Sequence, residues 1–547
     1  MIITRGWLYL KKLPLGIQNF AKIIEGDYVY VDKTKYIYNL INNASYYFLS
    51  RPRRFGKSLL LDTISAVFGG NKELFKGLWI YDSDYKFAKH PVIRLDMSRI
   101  STETPDILKD SIISSLKSYY AAEGFEVEDN IASDVFVKLI MFLHKKYDQK
   151  VVVLIDEYDK PILDHIDDLD IAEANRRVVR GFYGILKSMD AYLRFTFITG
   201  VSKFTKTSIF SELNNLSDIT MADKYADICG FPIESLANEF CDHIDELSRH
   251  KRFAQIESIL SEILAWYDGY SWDGESKVLN PFSLINFFDQ KKFDCFWYAS
   301  GTPKFLIDII KRKPESYLSL KNLEITERVL DSFDIRNMEL EPLLFQTGYL
   351  TVKEVLYIKG SPIYLLDIPN YEVRDAFNMQ IVAALTESGD MQAELAQMRI
   401  SKALRAGDLQ NVLDLLRGLF ASIPYNLHVN QEAYYHSIFY AIMTILGFDT
   451  DAEVSTSKGR IDAVLELEDK VYVFEFKYCK CPPDAGEAEK RALSDAALDE
   501  AMVQINNRDY GAKYANKFSS SGIHKKVYLA AFAFLGRDEI EMTYNMI

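Results

Sequence analysis

Cysteine is scarce in this chain. Five cysteines stand among 547 residues, and none has the Cys-x-x-Cys spacing that builds a structural zinc site. Cys479 and Cys481 lie two positions apart, but alternate residues of any strand share a face, so we interpret them as core residues rather than metal ligands. The cysteine usage therefore indicates reduced thiols and excludes a disulfide-stabilised secreted scaffold.

Long apolar runs are also missing. No segment reaches the roughly 20 apolar residues that cross a bilayer, and the first residues, MIITRGWLYLKK, lack the continuous apolar core of a secretory signal. We therefore predict a cytoplasmic protein with no membrane partner. With 48% hydrophobic residues, the chain can form several cores of roughly 100 to 200 residues each, and we expect three folded parts.

Basic residues are outnumbered by acidic ones, which gives a formal net charge of −14. This balance disfavours a protein that coats nucleic acid non-specifically, because such binding depends on lysine and arginine displacing counterions from phosphates. It does not exclude a nuclease, since an enzyme needs only a local basic surface and must itself carry carboxylates to hold a metal ion.

The pattern of apolar residues changes twice along the chain. Between residues 45 and 200, apolar runs alternate with helix-patterned segments, which indicates an α/β domain with a mainly parallel sheet. The runs are SYYFLS, PVIRLDMS, KVVVLIDEYD and LRFTFITG. From about residue 235 to 425 the pattern is predominantly helical. After Ile423-Pro424 we predict a compact α/β unit with a helix, two strands (GRIDAVLEL and KVYVFEFKY), another helix and a final strand, KVYLAAFAFL.

A phosphate-binding loop is indicated where the first apolar run ends. RPRRFGKSLLLDTI follows SYYFLS and opens a helix, so its backbone N–H groups can point at an anion. Lys57 would reach the β and γ phosphates, and the Ser58 hydroxyl would ligate Mg²⁺. Arg51 replaces the first glycine of GxxxxGK[ST], which leaves a turn with an incidental GKS as the alternative. The candidate nucleotide-binding residues of the loop are Arg54, Phe55, Gly56, Lys57, Ser58 and Leu59.

A pair of acids supports the nucleotide interpretation. KVVVLIDEYD ends in Asp156-Glu157, as expected of a buried strand that delivers acids to the carboxyl edge of a parallel sheet. Asp156 would complete the Mg²⁺ shell, and Glu157 would polarise the attacking water. The alternative is a buried strand that ends in a helix cap.

Two further sets of polar residues have less specific patterns. Thr199 or Ser202, at the end of the next strand, would sense the γ-phosphate through a hydroxyl group, with ordinary turn chemistry as the equal alternative. Three arginines on the helix before that strand include a candidate arginine finger, although we favour solvated helix charge for them. They are Arg176, Arg177 and Arg180.

The C-terminal unit carries three charged residues in an apolar setting. Asp462 lies in GRIDAVLEL, and Glu475 and Lys477 share one face of KVYVFEFKY. A short turn at 468–470 would pair the strands and place Asp462 beside Glu475, so that both carboxylates hold Mg²⁺ or Mn²⁺ while Lys477 orients the water. The alternative is a solvated hairpin with a surface ion pair of little energetic worth.

Longer motifs make the chain resemble a known family. They are LPLGIQNF (13–20), YVDKT (30–34), SRPRRFGKSLLLDT (50–63), IDEYDKPI (155–162), ITGVSKF (198–204), FSELNNLSDIT (210–220), NPFSL (280–284) and SGTPKFL (300–306). Together they resemble the bacterial AAA-ATPase-like family that carries a C-terminal PD-(D/E)XK nuclease domain. That family also has arginine at the position of Arg51, and residues 1–12 lie outside the resemblance.

The resemblance implies an α/β fold class in three parts. These are a P-loop parallel-sheet domain of the ASCE or AAA-like type at 13–230, a helical lid and linker at 231–425, and a restriction-endonuclease-like domain at 426–547. It also implies that Glu432 is the helix acid that completes the nuclease site and that Gln504 is the glutamine of the later helix. We interpret His436 as a structural residue, because a lone histidine supplies one ligand, and Arg460 as a phosphate contact.

We therefore predict an ATP-binding and ATP-hydrolysing protein with a fused metal-dependent nuclease, acting on DNA or RNA under nucleotide control. Its cofactors would be ATP and Mg²⁺, with Mn²⁺ as an alternative at the nuclease site. Two other functions remain open. One is an ATP-switched module that binds nucleic acid or protein without cleaving it, and the other is a remodelling ATPase that assembles as a ring of identical subunits.

Overall fold

A computed structural model describes residues 10–203, 215–253, 258–297, 323–330, 340–386, 390–421, 450–456, 459–482, 485–507, 514, 524–535 and 539–547. These residues form two compact units. The first contains the described residues up to Trp297 together with residues 323–372, and the second contains those from Val373 onward.

The first unit is built on a parallel sheet. Its strands in the described residues are β1 (Tyr46–Ser50), β2 (Val92–Asp96), β3 (Val151–Asp156), β4 (Leu193–Gly200) and β5 (Ser217–Asp218), in the order β2-β3-β4-β1-β5. Every neighbouring pair is parallel. The first four strands confirm the predicted apolar runs. Since parallel strands point the same way, the loop after β1 and the acids after β3 emerge at one edge, with β4 between them.

Helices flank this sheet. They are α1 (Phe20–Glu25), α2 (Thr34–Asn43), α3 (Lys57–Phe68), α4 (Pro105–Ala122), α5 (Ala132–Tyr147), α6 (Lys160–Leu163) and α7 (Leu169–Ser188). Side-chain caps fix where two of the long ones begin, because Thr104 accepts from the N–H of Ile107 and Asp168 accepts from that of Ile171. Helix α3 differs from these two, because its N-cap residue is Gly56, which supplies no side-chain cap.

The region that we expected to be helical also contains strands. Its helices in the first unit are α8 (Glu234–Asn238), α9 (Cys241–Ser248), α10 (Ile259–Tyr267), α11 (Pro281–Gln290), α12 (Glu327–Leu330) and α13 (Leu340–Thr347). Its strands are β6 (Phe231–Pro232), β7 (Val278–Leu279), β8 (Leu323–Thr326), β9 (Thr351–Ile358) and β10 (Ser361–Asp367). Strands β9 and β10 form a hairpin. Lys359 and Gly360 both have positive φ at its turn, as the twist of a tight hairpin requires.

The second unit is a helix cluster followed by a mixed sheet. Its elements are α14 (Tyr371–Thr386), α15 (Asp390–Ala406), α16 (Leu409–Ala421), β11 (Thr450–Thr456), β12 (Gly459–Glu466), β13 (Lys470–Cys479), α17 (Glu487–Asn507), β14 (Lys526–Leu535) and β15 (Glu539–Met546). The strand order is β11-β12-β13-β14-β15, and only the β13–β14 pair among these is parallel. The structure confirms β12, β13, α17 and β14 and adds the edge strands β11 and β15.

The boundary between the two compact units lies within α14, and the expected domain boundaries at 230 and 425 stay predictions. Residues Tyr371 and Glu372, which begin α14, belong to the first unit, and the rest of that helix belongs to the second. The expected lid and linker at 231–425 is therefore shared between the units. Among the described residues, no helix is both long enough and apolar enough to cross a membrane.

The two faces of the second sheet carry different side chains. One face is aromatic, with Tyr472, Phe474 and Phe476 in a column beside Tyr528, Phe532 and Phe534. The other face packs small and aliphatic residues of β13 and β14 against Leu498, Ala501 and Ile505 of α17. Alternation along β13 places Glu475 and Lys477 on the α17 face.

Candidate functional site

A cavity of about 620 Å³ surrounds the loop between β1 and α3. Its size is in the range of about 300 to 1,000 Å³ typical of small-molecule sites. Among the described residues that line it, the cations are Lys33, Arg53, Arg54, Lys57 and Lys160, and the acid is Glu157. In a chain of net charge −14, this local excess of positive charge is what a polyphosphate ligand requires.

Another part of the cavity wall is apolar. It includes Ile17, Ile228, Phe282 and Ile285, and the guanidinium carbon of Arg54 lies 4.6 Å from the centroid of the Phe282 ring. An aromatic base can pack against such a surface while its phosphates reach the cations. The cavity therefore has the chemical character of a nucleotide site.

The loop geometry exposes backbone donors at the start of α3. Gly56 has φ 88° and Arg54 has φ 70°, and a left-handed turn of this kind can direct successive N–H groups toward an anion. The ammonium group of Lys57 donates to the carbonyl oxygens of Arg51 and Pro52, at 2.9 Å each. Burial lowers the pKa of Lys57. A phosphate entering the cavity would replace these two neutral acceptors with charged ones.

Arg51 has a structural role at the position where the usual motif has glycine. Its side chain is completely buried, and its guanidinium donates to the carbonyl oxygens of Ser50, Thr220, Tyr225 and Ala226 at 2.8 to 3.3 Å. The guanidinium carbon lies 3.8 Å from the centroid of the Trp272 ring. Although burial lowers the pKa of Arg51 to about 10, the group stays charged at neutral pH and joins the loop to residues 220–226.

The two predicted acids lie at the carboxyl end of β3. Asp156 is 3% exposed, and the nearby Ser58 hydroxyl acts to lower the pKa of its carboxyl group. Burial raises the pKa of both Asp156 and Glu157, and Glu157 lines the cavity with a positive φ of 50°. A hydroxyl and a carboxylate close to each other form a donor set that fits Mg²⁺.

The structure places the candidate sensor hydroxyls away from the cavity. The fully buried Thr199 hydroxyl donates to the Leu49 carbonyl oxygen at 2.8 Å. Ser202 donates through both its N–H and its hydroxyl to Asp159, at 2.6 Å each. Neither residue is among the described residues that line the cavity. The sequence analysis did not predict this role for Asp159. In the sequence it stands out only as the third acidic residue of DEYD.

The arginines of α7 are also placed by the structure. Arg176 forms an ion pair with Glu173, at 2.7 Å and three positions apart on the same helix. Arg177 and Arg180 are exposed. This arrangement accords with helix charge at the surface. An arginine finger would act on the nucleotide of a neighbouring subunit, and that role stays a prediction.

The nuclease-type residues meet across two strands. Strands β12 and β13 are antiparallel, with Ala463 opposite Phe474, so Asp462 lies across from Glu475. The Phe476 N–H donates to the Asp462 carboxylate at 2.9 Å. Glu475 is 1% exposed, although it lies in a strand of apolar neighbours. Such burial is costly for a carboxylate that has no hydrogen-bonding role.

A glutamine of α17 connects this glutamate to the predicted lysine. The Gln504 amide donates to a Glu475 carboxylate oxygen, and the Lys477 ammonium donates to the amide oxygen of Gln504 at 3.2 Å. Lys477 also lies 3.5 Å from a carboxylate oxygen of Glu500. Asp462, Glu475, Lys477 and Gln504 are therefore brought together on the α17 face of the sheet.

The other predicted residues of this site have side chains outside the part of the chain that the structure describes. Glu432 and His436 lie outside the described residues, and the backbone of Arg460 lies in β12 opposite Ser455. In the described part of the chain, no group of three or more His, Cys, Asp and Glu side chains is arranged to hold a metal ion. The oxygen donors of Asp462 and Glu475 suit a hard divalent ion such as Mg²⁺ or Mn²⁺.

Comparison with known proteins finds family matches for two regions of the chain. Residues 14–210 match a family described as predicted AAA-ATPase, and residues 430–541 match the PD-(D/E)XK nuclease superfamily. A protein of Azotobacter chroococcum mcd 1, named as uncharacterized in the vnfD 5′ region, is 38% identical over 511 residues, covering 92% of this chain and 94% of that protein. The chain belongs to the AAA-ATPase-like family with a C-terminal PD-(D/E)XK domain.

Family membership agrees with the placement of the two sites. In this AAA-ATPase-like protein the P-loop lies within the first match, and the Asp462, Glu475, Lys477 and Gln504 cluster lies within the second. The predicted resemblance and fold class are thus confirmed. The relative's name gives no activity.

We expect that restoring the usual glycine at Arg51 of this AAA-ATPase-like protein will harm it. Arg51→Gly should lower the free energy of unfolding by about 3 kcal/mol, because hydrogen bonds to a charged group contribute about 1.5 to 3 kcal/mol. Urea denaturation measures the change. Arg53→Ala, at the exposed neighbour, should shift it by less than about 0.5 kcal/mol. Equal stability of Arg51→Gly and the unmodified protein would contradict the structural role.

Proposed function

We propose that this protein is a cytoplasmic ATPase that uses its nucleotide state to control cleavage of phosphodiester bonds in DNA or RNA by its C-terminal domain. The observation that carries the proposal is the buried, connected set formed by Asp462, Glu475, Gln504 and Lys477. The cationic cavity of the first unit supports its ATP-dependent part.

ATP hydrolysis would take place at the carboxyl edge of the first sheet. Lys57 would exchange its two carbonyl partners for phosphate oxygens, and Ser58 and Asp156 would hold Mg²⁺. Glu157 would orient the attacking water and accept its proton. Its raised pKa, caused by burial, brings the carboxylate closer to the pH at which a general base works best.

Phosphodiester cleavage would take place where β12 and β13 face α17. Asp462 and Glu475 would hold a divalent ion, which would supply an activated water and offset negative charge on the phosphate. Gln504 fixes one oxygen of Glu475, which keeps the carboxylate aimed in one direction. Lys477, positioned by the same amide, presents its ammonium group to the water or to the developing charge.

Lys57→Ala should weaken ATP binding by at least about tenfold, since a charged hydrogen bond contributes about 1.5 to 3 kcal/mol. Calorimetric titration with ATP and Mg²⁺ measures the affinity. Lys187→Ala removes an exposed lysine at the end of α7 and should leave the affinity unchanged. Equal affinity of the Lys57→Ala protein and the unmodified protein would rule out the proposed loop contact.

Glu157→Gln should separate ATP binding from ATP hydrolysis. The amide keeps the size of the side chain but accepts no proton, so phosphate release should stop while calorimetry still detects bound ATP. Loss of binding in this variant would instead assign Glu157 a structural role, which its left-handed backbone conformation also allows.

Substitutions of the nuclease-type residues should differ in how strongly they reduce cleavage. Asp462→Asn and Lys477→Ala should abolish cleavage of labelled DNA or RNA, whereas Gln504→Ala should reduce it by about 10- to 100-fold, as residues that position a metal ligand do. Circular dichroism should show that all three variants fold. Lys480→Ala, at the exposed residue that follows β13, is the matched control.

Chelation provides an independent check of the same site. Cleavage should stop in excess EDTA and return with Mg²⁺ or Mn²⁺, while binding of nucleic acid should largely persist because phosphate contacts elsewhere supply it. Persistent cleavage in chelator would disprove the metal-dependent mechanism. Binding without any cleavage by the unmodified protein would favour the interaction module.

A further inference from the structure

A buried carboxyl group marks the point where the first unit ends. Glu372, in the first turn of α14, is completely buried and is the last residue of the first unit. One of its carboxyl oxygens accepts from the backbone N–H of Trp297 at 2.7 Å and from the Ser283 hydroxyl at 2.8 Å. The other oxygen has no hydrogen-bond partner among the described residues. A group buried in this way is expensive and needs an explanation.

The first of these partners leads directly to the nucleotide cavity. The indole N–H of Trp297 donates to the carbonyl oxygen of Arg53 at 3.2 Å, and Arg53 lines the cavity. Gly348 also packs against this loop, since a Cβ there would lie 2.8 Å from the Pro52 side chain. Movement of the phosphate-binding loop would therefore act on Trp297 and through it on Glu372.

The second partner leads to the same cavity by a separate element. Ser283 belongs to α11, and Pro281, Phe282 and Ile285 of that helix line the cavity. A ligand that packs against this part of α11 would shift the Ser283 hydroxyl with it. Two independent elements of the cavity wall thus converge on one oxygen of Glu372.

Because α14 continues into the unit that carries the nuclease residues, we propose that Glu372 is the positioning residue through which nucleotide occupancy acts on α14. Trp297 contacts the loop and Ser283 belongs to α11, so the two partners follow different elements of the cavity wall, and Glu372 transmits their positions to the start of the helix. This inference rests on the proposed ATP site and adds the route by which that site controls the second unit.

The protonation of Glu372 supports a neutral hydrogen-bonding role. Burial raises its pKa to about 8, so the carboxyl group is mostly protonated at neutral pH. A neutral amide of the same shape should then replace it with little loss, whereas alanine removes the acceptor for both partners. The Gln and Ala substitutions therefore form a matched pair, and Trp297→Phe tests the route without changing Glu372.

The test combines hydrogen exchange with calorimetry on the full chain, with and without a non-hydrolysable ATP analogue and Mg²⁺. In the unmodified protein, the analogue should change exchange in peptides covering α14 by about fivefold or more, the lower end of typical coupling. Trp297→Phe and Glu372→Ala should bind the analogue with nearly unchanged affinity but lose this change. Glu372→Gln should retain it, as should the control Trp79→Phe, which alters a partly exposed ring packed on Tyr38.

Nuclease assays provide the second measurement. The ratio of cleavage rates with and without the analogue should approach one in Trp297→Phe and Glu372→Ala, while the rate without nucleotide stays as in the unmodified protein. Retention of the α14 response in Trp297→Phe, or no response in an unmodified protein that binds the analogue, would overturn the inference alone. Absence of binding in the unmodified protein would instead refute the proposed ATP site and, with it, the premise of this route.

Discussion

The organisation of the first unit depends on one buried positive charge. A guanidinium group in a fully enclosed position must be compensated, and here the carbonyl dipoles of residues 50, 220, 225 and 226 and the ring of Trp272 provide the compensation. Because these partners come from three separate stretches of chain, the phosphate-binding loop, the wall at 220–231 and the segment around Trp272 are tied together. A glycine would give the loop more freedom but would remove these hydrogen bonds and the contact with the Trp272 ring.

The sequence predicted those features that depend on local pattern. The four apolar runs became strands of a parallel sheet, and that sheet brought Ser58 to Asp156, because parallel strands share an edge. The hairpin of β9 and β10 was missed inside a region taken as helical. Strand β9 is rich in β-branched and aromatic residues, and both strands flank Lys359-Gly360 at the turn. The helical segments on either side dominated the interpretation.

Residues whose importance comes from distant partners could not be identified in this way. Glu372 is 75 positions from Trp297 and 89 from Ser283, and no periodicity links them. Thr199 was a candidate sensor because it lies near the end of a strand. In the structure its hydroxyl donates to the Leu49 carbonyl oxygen of the neighbouring strand. In the second unit, Asp462, Glu475 and Lys477 were identifiable because charge in an apolar strand is conspicuous. The edge strands β11 and β15, which carry more polar residues, were not.

The parallel pairing of β13 with β14 has a consequence for biosynthesis. The strand that carries Glu475 and Lys477 pairs on one side with a neighbour 56 positions later, as the pairing of Lys470 with Lys526 shows, and such a pair needs the intervening α17 in place. The cavity-bearing unit is synthesised earlier and can fold first. A ribosome-bound or prematurely terminated chain that lacks β14 therefore has an ATPase-like unit but an incomplete C-terminal sheet, so Glu475 and Lys477 reach their folded setting only after the cavity-bearing unit has been synthesised.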